Sequence, residues 1–137
     1  MHLEEVNFLA VALATVLAFA LGALWYSPIL LGRQWMAANG YTEDKLQEMQ
    51  QGAGKLYGIS AVCWFVMATV LALVAPHFGE GVGATFHMAV LLWFGFAATT
   101  GLTNNLFSDR PLRAWLIDAG YQIGTLALMS IVLGLWR

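Results

Sequence analysis

Four long apolar runs constrain this chain more than any other feature of its sequence. A hydrocarbon core about 30 Å thick requires about 20 apolar residues in a helix that rises roughly 1.5 Å per residue. Four segments meet that requirement: residues 6–31, 56–75, 84–107 and 112–136. They have too few polar positions for soluble amphipathic helices, and they lack the alternation of transmembrane strands. The sequence therefore predicts an all-α chain, a transmembrane bundle of four helices that forms one domain over residues 1–137.

The composition of the chain agrees with lipid as the main solvent of its surface. Of its 137 residues, 60% are hydrophobic and 10% are charged, whereas a soluble globular domain carries roughly 25% charged residues. The formal net charge of -2 leaves no excess of basic residues to neutralise phosphates, so no nucleic-acid partner is expected. The composition therefore excludes a water-soluble monomer and makes the lipid bilayer the first expected partner.

Basic residues predict how the four helices are oriented. Those in the two connections between spans one and two and between spans three and four are Arg33, Lys45, Lys55, Arg110 and Arg113. On the opposite side there is only Arg137. Because short cytoplasmic connections carry an excess of Lys and Arg, both connections are expected in the cytoplasm, with the N-terminus and the C-terminus outside. We therefore expect a multi-pass protein of the cell inner (plasma) membrane.

The connection over residues 32–55 contains a short amphipathic pattern. Thr42 is a favourable helix N-cap, and Glu43 suits the positive end of a helix that follows it. Leu46 and Met49 fall on one face of that helix. The pattern predicts a short amphipathic cytoplasmic helix on the membrane surface, and a mobile solvated loop is the alternative.

Small residues at four-residue spacing mark one face each of the first and fourth helices. Such stripes allow close approach of helix backbones in lipid, where apolar contact alone drives little association. We expect helix packing through these residues: Ala10, Ala14, Ala18, Gly22, Gly120 and Gly124. Packing within one chain and packing between subunits both fit the pattern.

Polar residues within the apolar runs collect toward the predicted cytoplasmic end. Asp118 lies about six residues after Leu112, or roughly 9 Å along the fourth helix. Because a side chain that loses water needs a partner, we expect a polar intramembrane cluster there. Its predicted members are Tyr26, Thr100, Asn104, Asn105, Asp118, Tyr121 and Gln122.

Two interpretations of this cluster remain open. Hydrogen bonds from Asn104, Tyr26 or Tyr121 would keep the Asp118 carboxylate charged, and Arg110 or Arg113 would reach it from the loop. The three residues Asn104, Asn105 and Asp118 are expected to satisfy one another across helices. The cluster then either fastens helices together or forms a substrate, ion or proton site.

No constellation for catalysis or for binding a metal stands out in the sequence. His2, His77 and His87 have no spacing typical of a metal site, and the serines lack a base at matching depth. Aromatic residues near the span ends, such as Trp35, fit an interfacial aromatic belt. Residues 26–28, Tyr-Ser-Pro, indicate a helix end, because the residue before proline avoids helical geometry. We expect no cofactor, no metal and no enzymatic activity.

Several stretches of the chain resemble one known family. The sequence over residues 22–28 is GALWYSP, residues 93–96 read WFGF, and residues 119–122 read AGYQ. Together these stretches resemble domain-of-unknown-function family 1761, and the resemblance covers nearly the whole chain. It implies a small bacterial-type integral membrane protein of four helices with no assigned activity. The family pattern has asparagine where this chain has Asp118, which favours a structural role for that position over a proton carrier.

The function predicted from the sequence is that of a non-enzymatic helical membrane module. Such a module forms a homo-oligomer or serves as an accessory subunit of a membrane complex, so its expected partners are copies of itself or another membrane protein. The alternative is a small transporter or channel. In that case an oligomer encloses a polar, cytoplasm-facing cavity lined by Asn104, Asp118, Tyr121 and Gln122.

Overall fold

The computed structural model describes residues 2–137, which are mostly helical and contain no strand. The helices are α1 Phe8–Trp25, α2 Gly32–Asn39, α3 Glu43–Gln51, α4 Ala53–Val74, α5 Gly81–Phe107 and α6 Leu112–Leu135. Four of them, α1, α4, α5 and α6, are long and apolar enough to cross a membrane. The prediction of an all-α chain with four such helices is confirmed.

Helix α1 begins at a side-chain cap and ends before a proline. The Asn7 side chain accepts hydrogen bonds from the backbone N–H groups of the second and third helical residues. The helix ends at Trp25, so the helix end predicted at residues 26–28 is confirmed and the longer span to residue 31 is wrong. Pro28 has no N–H to donate and its ring clashes with the preceding turn of a helix.

A tight turn joins α1 to α2 and requires a glycine. The backbone N–H of Gly32 donates to the carbonyl of Ser27 at 2.9 Å. A Cβ on Gly32 would lie 2.5 Å from the Tyr26 carbonyl oxygen. Only glycine therefore lets the chain turn back here and direct α2 toward α6, against which it packs.

The connection between α1 and α4 contains two helices, of which the sequence predicted one. Thr42 caps α3 by accepting from the backbone N–H of Lys45, so the predicted helix after Thr42 is confirmed and the loop alternative is wrong. The additional helix is α2, which ends at Asn39 and is followed by Gly40 in the left-handed region with φ 68°. Its Ala38 is buried against α6 residues Ala114 and Ile117.

Helix α6 is the most buried of the four long helices and organises the others. Helix α1 packs along both α4 and α6, and α5 packs along α6, whereas α4 and α5 make almost no contact with each other. The four long helices therefore leave a lateral opening between α4 and α5. The buried apolar residues of the main core are Ala10, Val11, Ala14, Ala18, Ala68, Leu71, Ala75, Met88, Ala89, Leu126, Met129, Val132 and Leu133.

Helix α5 changes its winding beside this opening. Residues Trp93–Ala98 form a π-helical stretch between two α-helical parts. A π-helical turn widens the helix, is rare in proteins, and occurs frequently at functional sites. The π-helical stretch therefore lies in the part of α5 that faces the opening.

Candidate functional site

The Asp118 carboxylate is held by donors from three separate parts of the chain. Its Oδ1 accepts from the Tyr26 hydroxyl at 2.7 Å and from the Trp35 indole N–H at 3.1 Å. Its Oδ2 lies 3.2 Å from the Arg110 guanidinium nitrogen Nη2. These contacts join the end of α1, helix α2 and the α5–α6 turn to α6. We name the set Tyr26, Trp35, Arg110 and Asp118 the polar anchor.

The surroundings of Tyr26 keep its phenol group protonated. Burial raises the pKa of the Tyr26 phenol, and the hydrogen bond to Asp118 and its negative charge raise that pKa further. Tyr26 therefore stays protonated at neutral pH and remains a donor. On the other side of the anchor, Arg110 Nε donates to Asn39 Oδ1 at 3.0 Å, while Asn39 Nδ2 donates to the Trp35 carbonyl at 2.8 Å.

The two asparagines of the predicted cluster do not reach Asp118. Asn105 is buried, and its Nδ2 donates to the carbonyls of Arg110 and Pro111 at 3.0 and 3.2 Å. It therefore holds the α5–α6 turn. Asn104 and Thr100 are exposed, and within residues 2–137 neither joins the anchor. The expected mutual satisfaction of Asn104, Asn105 and Asp118 is wrong, because neighbouring positions on α5 point in different directions around the helix.

Tyr121 and Gln122 also bond elsewhere, although they follow Asp118 on α6. The Tyr121 hydroxyl donates to the carbonyl of Ala18 at 2.8 Å and so links α6 to α1. Gln122 Oε1 accepts from the Trp93 indole N–H at 2.7 Å and links α6 to α5. The predicted polar cluster thus separates into the polar anchor, the α5–α6 turn and two single links between helices.

The stripes of small residues pack inside one chain, with the glycines facing across the contact between α1 and α6. Ala10, Ala14 and Ala18 are fully buried. A Cβ on Gly120 would lie 2.8 Å from the Trp25 ring, and one on Gly124 would lie 3.1 Å from a Leu21 methyl carbon. Gly22 faces the Tyr121 ring in the same way, with its would-be Cβ 3.0 Å from the hydroxyl oxygen. Of the two alternatives left open by the sequence, packing within the chain is therefore the one observed.

The opening between α4 and α5 forms a cavity of about 590 Å³, and α6 forms its floor. We name it the lateral cleft. Its lining residues are Trp64, Met67, Val70, Leu71, Ala89, Leu92, Trp93, Phe96, Ala97, Tyr121, Gln122, Thr125 and Leu126. None of these lining residues is charged, and its volume lies in the range of about 300–1,000 Å³ typical of small-molecule sites. The π-helical stretch supplies Trp93, Phe96 and Ala97 to one wall.

Sequence reasoning missed the lateral cleft and one member of the polar anchor, Trp35. It assigned Trp35 to an interfacial belt, yet the indole N–H of Trp35 donates to Asp118 across 83 positions of the chain. Thr125 lies one turn after Tyr121 on α6 and lines the cleft with it. A buried indole N–H usually has a polar partner, so the tryptophans were the available signal, but that signal does not name the partner.

Comparison with known proteins gives a family and no characterised relative. No curated protein and no solved structure matches the chain. A family model described as "Protein of unknown function (DUF1761)" matches residues 9–134. Because this match covers nearly the whole chain, from the second residue of α1 to the last but one of α6, the protein belongs to the DUF1761 family of proteins of unknown function.

Proposed function

We propose that this protein is a non-enzymatic module of the inner (plasma) membrane that takes a hydrophobic molecule from the bilayer into the lateral cleft. The observation that carries the proposal is the cleft itself, which is apolar and lies between two helices that make almost no contact. In a membrane, the exposed faces of α4 and α5 meet acyl chains, so a hydrophobic molecule enters such a cleft without crossing water.

The size of the cleft suits a small molecule as the occupant. A cavity of about 590 Å³ lies within the range that holds ligands of drug-like size.

The basic residues around the polar anchor support a cytoplasmic position for that end of the protein. Arg33, Lys45 and Lys55 lie in the α1–α4 connection, and Arg110 and Arg113 lie at the α5–α6 turn. The positive-inside rule then places the N-terminus and the C-terminus outside. We propose this orientation, in which the polar anchor closes the cytoplasmic end of the helices.

Association with copies of the chain or with a larger membrane complex remains part of the proposal. The stripes of small residues suggested such association, but they are packed inside the chain. Partners would therefore contact the exposed apolar faces of α4 and α5. A polar transport cavity around Asp118 has less support, because Asp118 is engaged by three donors and Asn104 lies apart from it.

Photolabelling in a defined bilayer tests the proposed function. The protein is placed in phosphatidylcholine nanodiscs with an uncharged hydrocarbon that carries a diazirine, and labelled residues are mapped by mass spectrometry. We expect adducts concentrated on the lining of the cleft, and we expect an excess of unlabelled hydrocarbon to compete with them. Adducts spread evenly over all exposed faces would contradict the proposal.

A pair of matched variants makes this test specific. Ala97 is exposed and lines the cleft, whereas Ala12 is exposed on α1 and does not. We expect Ala97→Trp to fill the cleft and reduce labelling there about tenfold. Ala12→Trp adds the same bulk to the lipid-facing surface and is expected to leave the labelling of the cleft unchanged.

A further inference from the structure

The floor of the lateral cleft carries a hydroxyl group without a well-formed hydrogen bond. Thr125 is 2% exposed, and within residues 2–137 its Oγ1 makes no hydrogen bond of normal geometry, although the Tyr121 hydroxyl lies near enough for a weak contact with it. A threonine within a helix can donate to the carbonyl four residues earlier. Five threonines of this protein do so: Thr15, Thr69, Thr85, Thr99 and Thr103. Thr125 departs from that pattern, and a buried hydroxyl without a good hydrogen bond is unfavourable.

A second polar group lies one turn away on the same floor. Gln122 accepts from the Trp93 indole N–H through Oε1, which orients the side-chain amide. Its NH₂ group then has no acceptor within the described part of the chain. The floor therefore offers an amide donor and a hydroxyl donor, and both suit a neutral oxygen acceptor.

The depth of these groups limits what the ligand can be. Gln122 lies ten residues after Leu112, and Thr125 lies ten residues before Leu135, so both are about 15 Å from an end of α6. That distance is half of a hydrocarbon core about 30 Å thick. The headgroup and ester groups of a phospholipid stay near the interface, whereas the donors of the cleft lie near the midplane. A matching ligand is uncharged and carries its acceptor into the middle of the bilayer.

The walls of the cleft favour a flat ring. On the α4 side, Trp64 lies edge to face against Tyr121 of the floor with ring centroids 6.1 Å apart. On the α5 side, Trp93 and Phe96 come from the π-helical stretch. Aromatic walls of this kind pack against planar groups by stacked or edge contacts. A rare helical distortion, a buried hydroxyl without a well-formed hydrogen bond and aromatic walls thus coincide in one cleft.

We infer that the lateral cleft binds an isoprenoid quinone, an inference that rests on the proposed function. One ring carbonyl accepts hydrogen bonds from the Gln122 amide and the Thr125 hydroxyl. The ring packs between the aromatic walls, and the isoprenoid tail leaves between α4 and α5 into the lipid. The quinone is bound and released unchanged.

Competition against the photolabel described above tests this inference separately from the proposed function. The three competitors are a benzoquinone with a decyl tail, decylbenzene, which lacks the carbonyl groups, and dioctanoylglycerol, which carries ester carbonyls. We expect the quinone to displace the hydrocarbon label at about one tenth of the concentration that decylbenzene needs. Equal potency of quinone and decylbenzene, or higher potency of the glycerol ester, would overturn the inference while labelling of the cleft still supports the proposed function.

Two variants separate recognition by the hydroxyl from general packing. Thr125→Val keeps the shape of the side chain and removes the hydroxyl, so we expect the quinone to lose about fivefold in potency with decylbenzene unaffected. The control is Ser130→Ala, because Ser130 also carries a buried hydroxyl without a well-formed hydrogen bond but does not line the cleft. It is expected to leave both competitors unchanged, and an unchanged quinone preference in Thr125→Val would contradict the inference.

Discussion

The Asp118 carboxylate lies where three segments of the chain meet, and each segment supplies one hydrogen-bond donor. A carboxylate with neither water nor partners in hydrocarbon would be neutralised. Here one charged donor and two neutral donors surround it, and its side chain remains 26% exposed. At the scale of residues, the anchor is therefore a satisfied polar group that joins helices, in agreement with the structural interpretation of the cluster.

Removing the charged donor of the anchor tests this assignment. Arg110→Ala leaves Asp118 Oδ2 and Asn39 Oδ1 without a partner, so we expect a loss of stability on the order of 1 kcal/mol at this partly exposed site. Asp118→Asn still accepts from Tyr26 and Trp35 and is expected to cost less. Thermal unfolding in detergent measures both.

The control for this comparison is the neighbouring arginine. Arg113 is exposed on the first turn of α6, and Arg113→Ala is expected to unfold at the temperature of the unchanged protein. Equal destabilisation by the two arginine substitutions would show that the anchor adds no stability of its own.

At the scale of elements, Asn105 closes the connection between α5 and α6. The Asn105 side chain is 2% exposed and binds two backbone carbonyls beyond the end of α5. Asp109 adopts a positive φ of 55° in the same turn, a conformation that aspartate tolerates better than most residues. The turn is short because a side chain from the last part of α5 satisfies its backbone.

Adjacent asparagines provide a matched test of this turn. Asn105→Ala leaves two carbonyls without their donor, and we expect a loss of about 1–3 kcal/mol. Asn104→Ala removes the same group from an exposed position and is expected to change the stability by less than about 0.5 kcal/mol. Chemical unfolding followed by circular dichroism measures the difference, and similar losses in both variants would contradict the assigned role.

At the scale of the whole molecule, α6 serves as the common packing partner of the other long helices. Its glycines admit Trp25 and Leu21 of α1, while its other face meets α5 and forms the floor of the cleft. The small residues are therefore used within the chain, and the opening that remains is lateral. This arrangement directs the proposed ligand site toward lipid rather than toward the cytoplasm.

The position of the small-residue stripe predicts a loss of stability at one alanine of α1 and little change at another. Ala14 is fully buried, so Ala14→Leu overpacks the contacts of α1 and is expected to cost about 1–3 kcal/mol. Ala12 is exposed, and Ala12→Leu is expected to have little effect on stability. Melting temperature and particle mass in mild detergent are measured together. A change of mass at an unaltered melting temperature in Ala14→Leu would place the stripe at a subunit interface instead.

The sequence alone determined the properties that depend on neighbouring positions. The four spans follow from the length of each apolar run, the end of α1 follows from Pro28, and the start of α3 follows from the Thr42 cap. Each of these is a local property, because a helix satisfies its own backbone and the bilayer sets the required length. The polar anchor was predicted in part, since Tyr26 and one of the two loop arginines, Arg110 or Arg113, were expected to reach Asp118.

Only the tertiary structure decided which groups meet across the chain. Asp118 binds donors 83 and 92 positions away, and an apolar helix face in lipid carries no signal that names its neighbour. The lateral cleft could not be predicted for the same reason. A gap between α4 and α5 exists only when all four long helices are arranged in the fold. Contacts within one helix follow from sequence spacing, whereas contacts between helices depend on how the helices are arranged around α6.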